Sequence, residues 1–156
     1  MNFIQSIKTC LRKYADFKGR ASRSEFWWFQ LFLIILEVGL TTLDHLILGF
    51  TWDNSITPLA TGLDIVTVIP LAAVTARRLH DIGRSGWWQA PIFVSYLYYL
   101  DVFIPNFAQS TVIYGIDIAT GIYSLGLLIM LIKDSQSITN QYGPNPKNPD
   151  MGEIFT

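Results

Sequence analysis

Arg77-Arg78-Leu79-His80-Asp81-Ile82-Gly83-Arg84-Ser85-Gly86-Trp87-Trp88 is short, basic, punctuated by glycine and closed by a tryptophan pair. Long apolar segments flank it on both sides. It reads as a turn between two membrane spans, held where lipid meets water. Gly83 suits a helix C-terminal cap and Ser85 the next N-cap. Working outward, segments of about 59–76 and 86–104 lie on either side, the first with Pro70 inside it. Pro70 removes an amide donor and frees the Val66 carbonyl, so a kink is expected, with Thr67 placed to satisfy the freed group. Segments of about 26–48 and 111–132 complete a set of four. The 26–48 segment is long enough to cross ~30 Å of hydrocarbon at ~1.5 Å per residue.

Composition agrees. Of 156 residues, 51% are hydrophobic and 15% charged, well below the roughly 25% charged residues of soluble domains. The net charge is −1, but its distribution is uneven: all 11 Lys and Arg fall within 8–23, 77–84 and 133–147. With four spans these three stretches share one side, which the positive-inside rule makes the cytoplasm, so both termini are expected there. A soluble helical bundle would scatter its cations over every loop. Trp27, Trp28, Trp87 and Trp88 fall at the expected cytoplasmic boundary and Trp52 at the outer one, where amphipathic rings prefer to lie. Cys10 is the sole cysteine, so no internal disulfide forms. The basic start runs into an apolar stretch too long for a signal peptide, with no small-residue cleavage site, so a cleaved leader is not expected.

Residues 2–13 place Phe3, Ile4, Ile7, Leu11 and Tyr14 at helical spacing with Lys8, Arg12 and Lys13 on other faces. This amphipathic helix either lies in the headgroup region or packs on the rest of the chain. Ser22-Arg23-Ser24-Glu25 fits a capping box at the start of the first span. The expected architecture is all-α: a membrane domain over 1–135 with an N-terminal amphipathic helix, and a polar tail over 136–156, extended or disordered. Gly19-Arg20-Ala21-Ser22 before Trp27-Trp28 echoes Gly83-Arg84-Ser85 before Trp87-Trp88, a faint sign of a duplicated two-span half.

Three stretches together carry a resemblance. Tyr14-Ala15-Asp16-Phe17, with Gly19-Arg20-Ala21-Ser22-Arg23-Ser24-Glu25-Phe26-Trp27-Trp28, resembles the opening signature of the bacterial membrane family of domain of unknown function 805. Ala76-Arg77-Arg78-Leu79-His80-Asp81 with Gly83-Arg84-Ser85-Gly86-Trp87-Trp88 resembles its second signature. Asn140-Gln141-Tyr142-Gly143-Pro144-Asn145-Pro146 is similar to its C-terminal tail. The resemblance covers nearly the whole chain and implies a small multi-span inner-membrane protein. It implies no activity and carries over no catalytic residue. The spans here hold more acidic residues than the family leads one to expect.

Two groups of residues are candidates for function. Arg20, Arg23, Arg77, Arg78 and Arg84 converge at one depth if the topology holds, beside Trp27, Trp28, Trp87 and Trp88. Arginine forks fit phosphate, and two helix N-termini near Ser22 and Ser85 point into the same layer. The layer is either a site for anionic lipid headgroups or another phosphate ligand, or an orientation signal neutralised by Asp16, Glu25 and Asp81. The second group is the acids inside the spans: Glu37, Asp64, Asp101 and Asp117, with Asp44 nearer the outer surface. A central carboxylate facing lipid costs roughly 2.5–3.5 kcal/mol on insertion scales, so these side chains face inward or are satisfied locally. They form either a proton or cation path, as in an oligomeric transporter or channel, or pairs with neighbours such as Tyr98 for Asp101 and Tyr114 for Asp117.

His80-Asp81 near Ser85 shows no triad geometry and too few ligands for a metal. No enzyme, cofactor or metal site is expected, and no nucleic-acid surface. Gly115 and Ala119 form a small-xxx-small pair that suits packing within the chain or a homo-oligomer face. The expected protein acts by interaction with membrane lipids or a protein partner in the bacterial inner membrane.

Overall fold

The computed structural model describes residues 1–49, 57–93 and 111–147, the side chains of 111–114 and 117 excepted. Four α-helices follow in order: α1 (Phe3–Arg12), α2 (Arg23–Leu48), α3 (Pro58–Asp81) and α4 (Thr111–Ile132). Among the described residues there is no strand, only an isolated bridge between Asn140 and Gly143. Among the described residues two helices, α2 and α3, are long and apolar enough to cross a membrane, with mean hydropathies of 2.0 and 1.8 over their most apolar stretches.

Local sequence sets most of the boundaries. Asn2 accepts from the Gln5 amide while the Gln5 side chain accepts from the Asn2 amide, so α1 opens on a full capping box. Ser22 caps α2 by accepting from the Glu25 amide at 3.3 Å. The reciprocal half of the expected box is absent, because the Glu25 carboxylate turns to Arg77 instead. Gly49, at φ +70°, ends α2 where glycine costs least.

The end of α3 differs from the sequence reading. The helix runs five residues past Ala76, so Arg77 and Arg78 project from a helix and not from a turn. The stop comes at Gly83, at φ +75°, where the Arg84 amide reaches back to the Leu79 carbonyl at 2.9 Å. Residues 86–93 then wind as 3₁₀ turns where the third span was expected to begin. The remainder of that span, and Trp52, lie outside the described residues. Pro70 sits inside α3 as expected, but Thr67 bonds the Leu63 carbonyl. The freed Val66 carbonyl accepts instead from the Tyr14 hydroxyl, beyond the end of α1.

The core is concentrated at one end. Cys10, Phe26, Phe29, Val74, Leu79, Leu127 and Leu131 form one buried cluster where α1, α2, α3 and α4 meet. Away from it, Ile35, Val38, Ile47, Ile65, Ile118, Ile122 and Ile129 are exposed. So large an apolar exterior is unfavourable in water and is what lipid contact requires. Residue Glu25 of α2 pairs with Arg77 of α3, and Asp44 of α2 meets Leu59 of α3, so the two helices run antiparallel. On α1, Ser6 and Cys10 face the protein while Ile4 and Leu11 stay outside. The helix thus packs on the chain along one side and keeps apolar residues for its surroundings along another.

Candidate functional site

The arginines gather at the end of the hairpin where α2 begins and α3 ends. Arg20 comes from the loop between α1 and α2, just after Gly19 at φ +81°. Its Nε donates to Asp81 Oδ1 at 3.0 Å. Its two terminal nitrogens donate to the carbonyls of Gln136 at 2.6 Å, Ile138 at 2.8 Å, Gly143 at 3.2 Å and Asp81 at 3.3 Å. Arg78 donates to the other Asp81 oxygen. Arg77 pairs with Glu25 Oε1 at 3.1 Å and donates to the Lys13 and Asp16 carbonyls. All three guanidinium side chains are at most 1% exposed.

Buried charge needs such partners, since an unpaired ion away from water is very costly. Three buried cations face two buried carboxylates here, and main-chain carbonyls supply most of the remaining acceptors, Arg77 Nε having none among the described residues. The arginine fork explains the choice of residue, because five donors in a fixed plane can serve several acceptors at once.

The same residues close helix ends that lack their own caps. The last turn of α4 holds no basic residue. Arg78 Nε donates to the Leu131 carbonyl at 3.0 Å, Arg23 to Ile132 at 3.3 Å, and Arg78 again to Lys133. Three consecutive carbonyls at the negative end of α4 are thereby satisfied by cations from other helices. The mirror arrangement lies at the far end. Asp44, fully buried, accepts from the Leu59 amide through both oxygens and from the Ala60 amide, each at 3.1 Å. It caps the positive end of α3, whose own Thr57 makes no side-chain cap bond. Asp44 is therefore a locally satisfied acid.

The other candidates separate clearly. Arg23 and Asp134 pair at 2.8 Å on the surface, and Lys147 joins them at 3.2 Å. Lys147 and then Arg23 hold the Asp134 carboxyl below its usual range. Arg84 lies 5.5 Å from the centre of the Trp88 ring, a cation–π contact. Trp87 is 83% exposed. Trp28 meets Phe3 edge-on at 5.8 Å, and Trp27 faces a cavity between α2, α3 and α4. Cys10 is buried beside Glu25. Burial first, and then the Glu25 charge, push its thiol up to about 12.

Glu37 and Asp64 come together across α2 and α3, lining a cavity of about 180 Å³ with Gln30 and Thr67. Asp101 lies outside the described residues, as does the side chain of Asp117. His80 makes a hydrogen bond through Nδ1 with the Gly19 carbonyl at 3.1 Å and stacks on Tyr142 at 3.8 Å. Ser85 accepts from the Trp87 amide. No hydrogen bond joins His80 to Ser85 among the described residues. The group of three or more ligands that a metal needs is also absent among them.

Residues 136–147 were expected to be extended or disordered. They fold back onto the arginines instead: the Gln136 amide reaches the Asp81 carbonyl at 3.1 Å, and the Asn140 side chain reaches that of His80 at 2.9 Å. The physical reason is Arg20, whose terminal nitrogens find one helix carbonyl, that of Asp81, and take the others from Gln136, Ile138 and Gly143. The one hint in the sequence was the tail motif at Asn140–Pro146.

The profile of the family described as "Protein of unknown function (DUF805)" matches residues 14–144. The chain belongs to that family. The match opens at Tyr14, which bonds the Val66 carbonyl, and closes one residue beyond Gly143, which bonds Arg20. Among its relatives, the inner membrane protein YhaH of Escherichia coli strain K12 is 36% identical over 101 residues, 65% of this chain and 83% of YhaH. The inner membrane protein YhaI of the same strain is 29% identical over 144 residues, 92% and 97% of the two chains. The uncharacterized protein YiiR of that strain is 28% identical over 145 residues, 89% and 88%. No solved structure matches the chain. Relatives named for the inner membrane and two apolar helices of spanning length make this DUF805 chain a membrane protein of unknown activity.

Proposed function

We propose that this protein crosses the bacterial inner membrane four times with both termini in the cytoplasm. It acts by interaction, its cytoplasmic rim holding anionic lipid headgroups, without cofactor or catalysis. The placement of the cations supports this orientation: Arg20, Arg23, Arg77 and Arg78 all lie at the end where the N-terminal segment meets residues 136–147. Positive charge concentrated on one side marks the cytoplasmic face.

The observation that carries the lipid reading is the division among the arginines. Arg20, Arg77 and Arg78 are taken up by internal partners, whereas Arg84 stands outside on Trp88, beside the exposed Trp87. A cation flanked by amphipathic rings at the headgroup level is suited to anionic lipid. Arg84→Ala should lower the retention of phosphatidylglycerol in native mass spectra about fivefold, since one basic residue near such a surface contributes about 1 kcal/mol. Retention equal to the parent's would count against the rim.

A second reading draws on the Glu37–Asp64 cavity: an oligomeric transporter or channel that moves protons or cations along these carboxylates. Asp64→Asn should then abolish a pH-dependent flux in proteoliposomes. A parent protein that carries no flux under any imposed gradient would end this reading.

A further inference from the structure

Beside the 86–93 turns lie two cavities that the arginine layer does not use. One, of about 370 Å³, sits between α2, α3 and α4 with Phe26 and Leu127 in its walls. The other, of about 510 Å³, is lined by His80, Ser85 and Trp87. Ala72, Gln89 and Phe93 line both, so the cavities share a wall. Gln89 is only 9% exposed, and its side-chain amide has no hydrogen-bond partner among the described residues. Gln89 lines both cavities, and an amide facing a cavity offers a donor and an acceptor to a polar group of a ligand.

His80 adds a second polar group. In the neutral ring its Nδ1 carries the proton toward the Gly19 carbonyl, which leaves Nε2 to accept. Nε2 faces Gly86, where an added Cβ would come within 3.4 Å of it and within 2.8 Å of the Ala76 Cβ. Glycine therefore keeps this wall of the cavity thin. His80 and Ser85 line only the second cavity, whereas Phe26, Leu127 and Leu131 line only the first, together with Gln30, Thr75 and Ser124.

We propose that the paired cavities hold one acyl lipid. Its chain fills the apolar cavity against Phe26 and Leu127, and its ester and headgroup oxygens meet Gln89 and His80 Nε2. The position argues for this occupant: the cavities lie among apolar helices of spanning length, at their arginine end, where a lipid changes from chain to ester to headgroup. Arg84 follows Gly83 at the same end and supplies a cation for a charged headgroup. This inference deepens the lipid reading above and rests on its placement of the chain in the bilayer, but not on Arg84 as the holding residue.

The test is native mass spectrometry of the full chain in mild detergent, supplied with dioleoyl phosphatidylglycerol, beside Gln89→Leu, Ala72→Phe and Arg84→Ala. The parent should keep a single lipid. Gln89→Leu, similar in shape but without the amide, should cut that fraction about fivefold, the loss of roughly one hydrogen bond. Ala72→Phe fills the shared wall and should remove the lipid. Should Ala72→Phe fail to fold, Gln89→Leu decides alone. Loss of lipid in Arg84→Ala with none in Gln89→Leu would keep the rim and overturn the cavity site. Loss in Gln89→Leu with none in Arg84→Ala would keep the cavity site and overturn the rim. A parent that retains no lipid overturns the proposal.

Discussion

Asp81→Asn should destabilise the folded protein by about 3–5 kcal/mol, the cost typical of removing one partner from a buried ion pair. Its carboxylate serves two guanidinium groups at once, Arg20 through Oδ1 and Arg78 through Oδ2, and all three side chains are buried. Asparagine fills the same space and still offers one acceptor oxygen, but it carries no charge. Two buried cations would then face each other with only carbonyls around them. Arg20 also holds residues 136–143, and Arg78 also closes α4. The loss should therefore show at both places. Thermal unfolding in detergent, with proteolysis near residue 140 as a second readout, measures it. A midpoint unchanged from the parent would mean that the triad is not what holds this end together.

Arg77→Met should cost a similar amount, about 3–5 kcal/mol, for the opposite reason. Here the group left behind is an anion. Glu25 is 6% exposed and lies against the buried Cys10, so without Arg77 it loses its buried cation. The loop from Lys13 to Asp16 also loses the donor that its carbonyls share. The double variant Glu25→Leu with Arg77→Met should recover most of the loss, because removing both partners leaves no unpaired charge. Unfolding midpoints of the two single variants and the double variant form the cycle. Additive losses would show that the pair is not coupled.

Glu25 and Asp81 were legible in the sequence as acids able to neutralise the arginines, but which arginine each takes and how deeply the pairs are buried were not. The apolar runs gave α2, α3 and α4 with their approximate lengths, because hydrocarbon thickness and helical rise leave little freedom. The start of α2 was readable from Ser22, the shape of α1 from its periodicity, and the turn at Gly83 from glycine chemistry. The last turn of α3 was not. Two adjacent arginines at the end of an apolar run read as a turn at the lipid–water boundary, since the sequence does not display that α3 carries them on to Asp81. Glu25, the Leu131 carbonyl and the Gln136 carbonyl become neighbours only when four segments converge.

Asp44 shows the same limit from the other end. As a carboxylate late in a span it was placed near the outer surface, yet its oxygens face the amides of Leu59 and Ala60. A cap supplied from another helix leaves no local pattern. In the structure Glu37 and Asp64 line one cavity between α2 and α3, while Arg84 lies on Trp88 beside the exposed Trp87. The tail was misread because its polar, glycine- and proline-rich composition matches disordered segments. Such a segment becomes ordered when a buried arginine needs main-chain acceptors and its carbonyls supply them.

The central claim is that Arg20, Arg77 and Arg78 are internal fasteners, not a general positive layer. Lysine substitution tests it most directly, because lysine keeps the charge and orientation signal but lacks the fork. Thermal unfolding would be measured for Arg20→Lys and Arg84→Lys in nanodiscs of the same lipid. Arg20→Lys should lose about 2–3 kcal/mol, since one ammonium cannot replace bonds to Asp81, Gln136, Ile138 and Gly143, while Arg84→Lys should stay within about 0.5 kcal/mol of the parent. Arg20→Lys as stable as the parent would contradict it, and the arginine layer would then be only a charge.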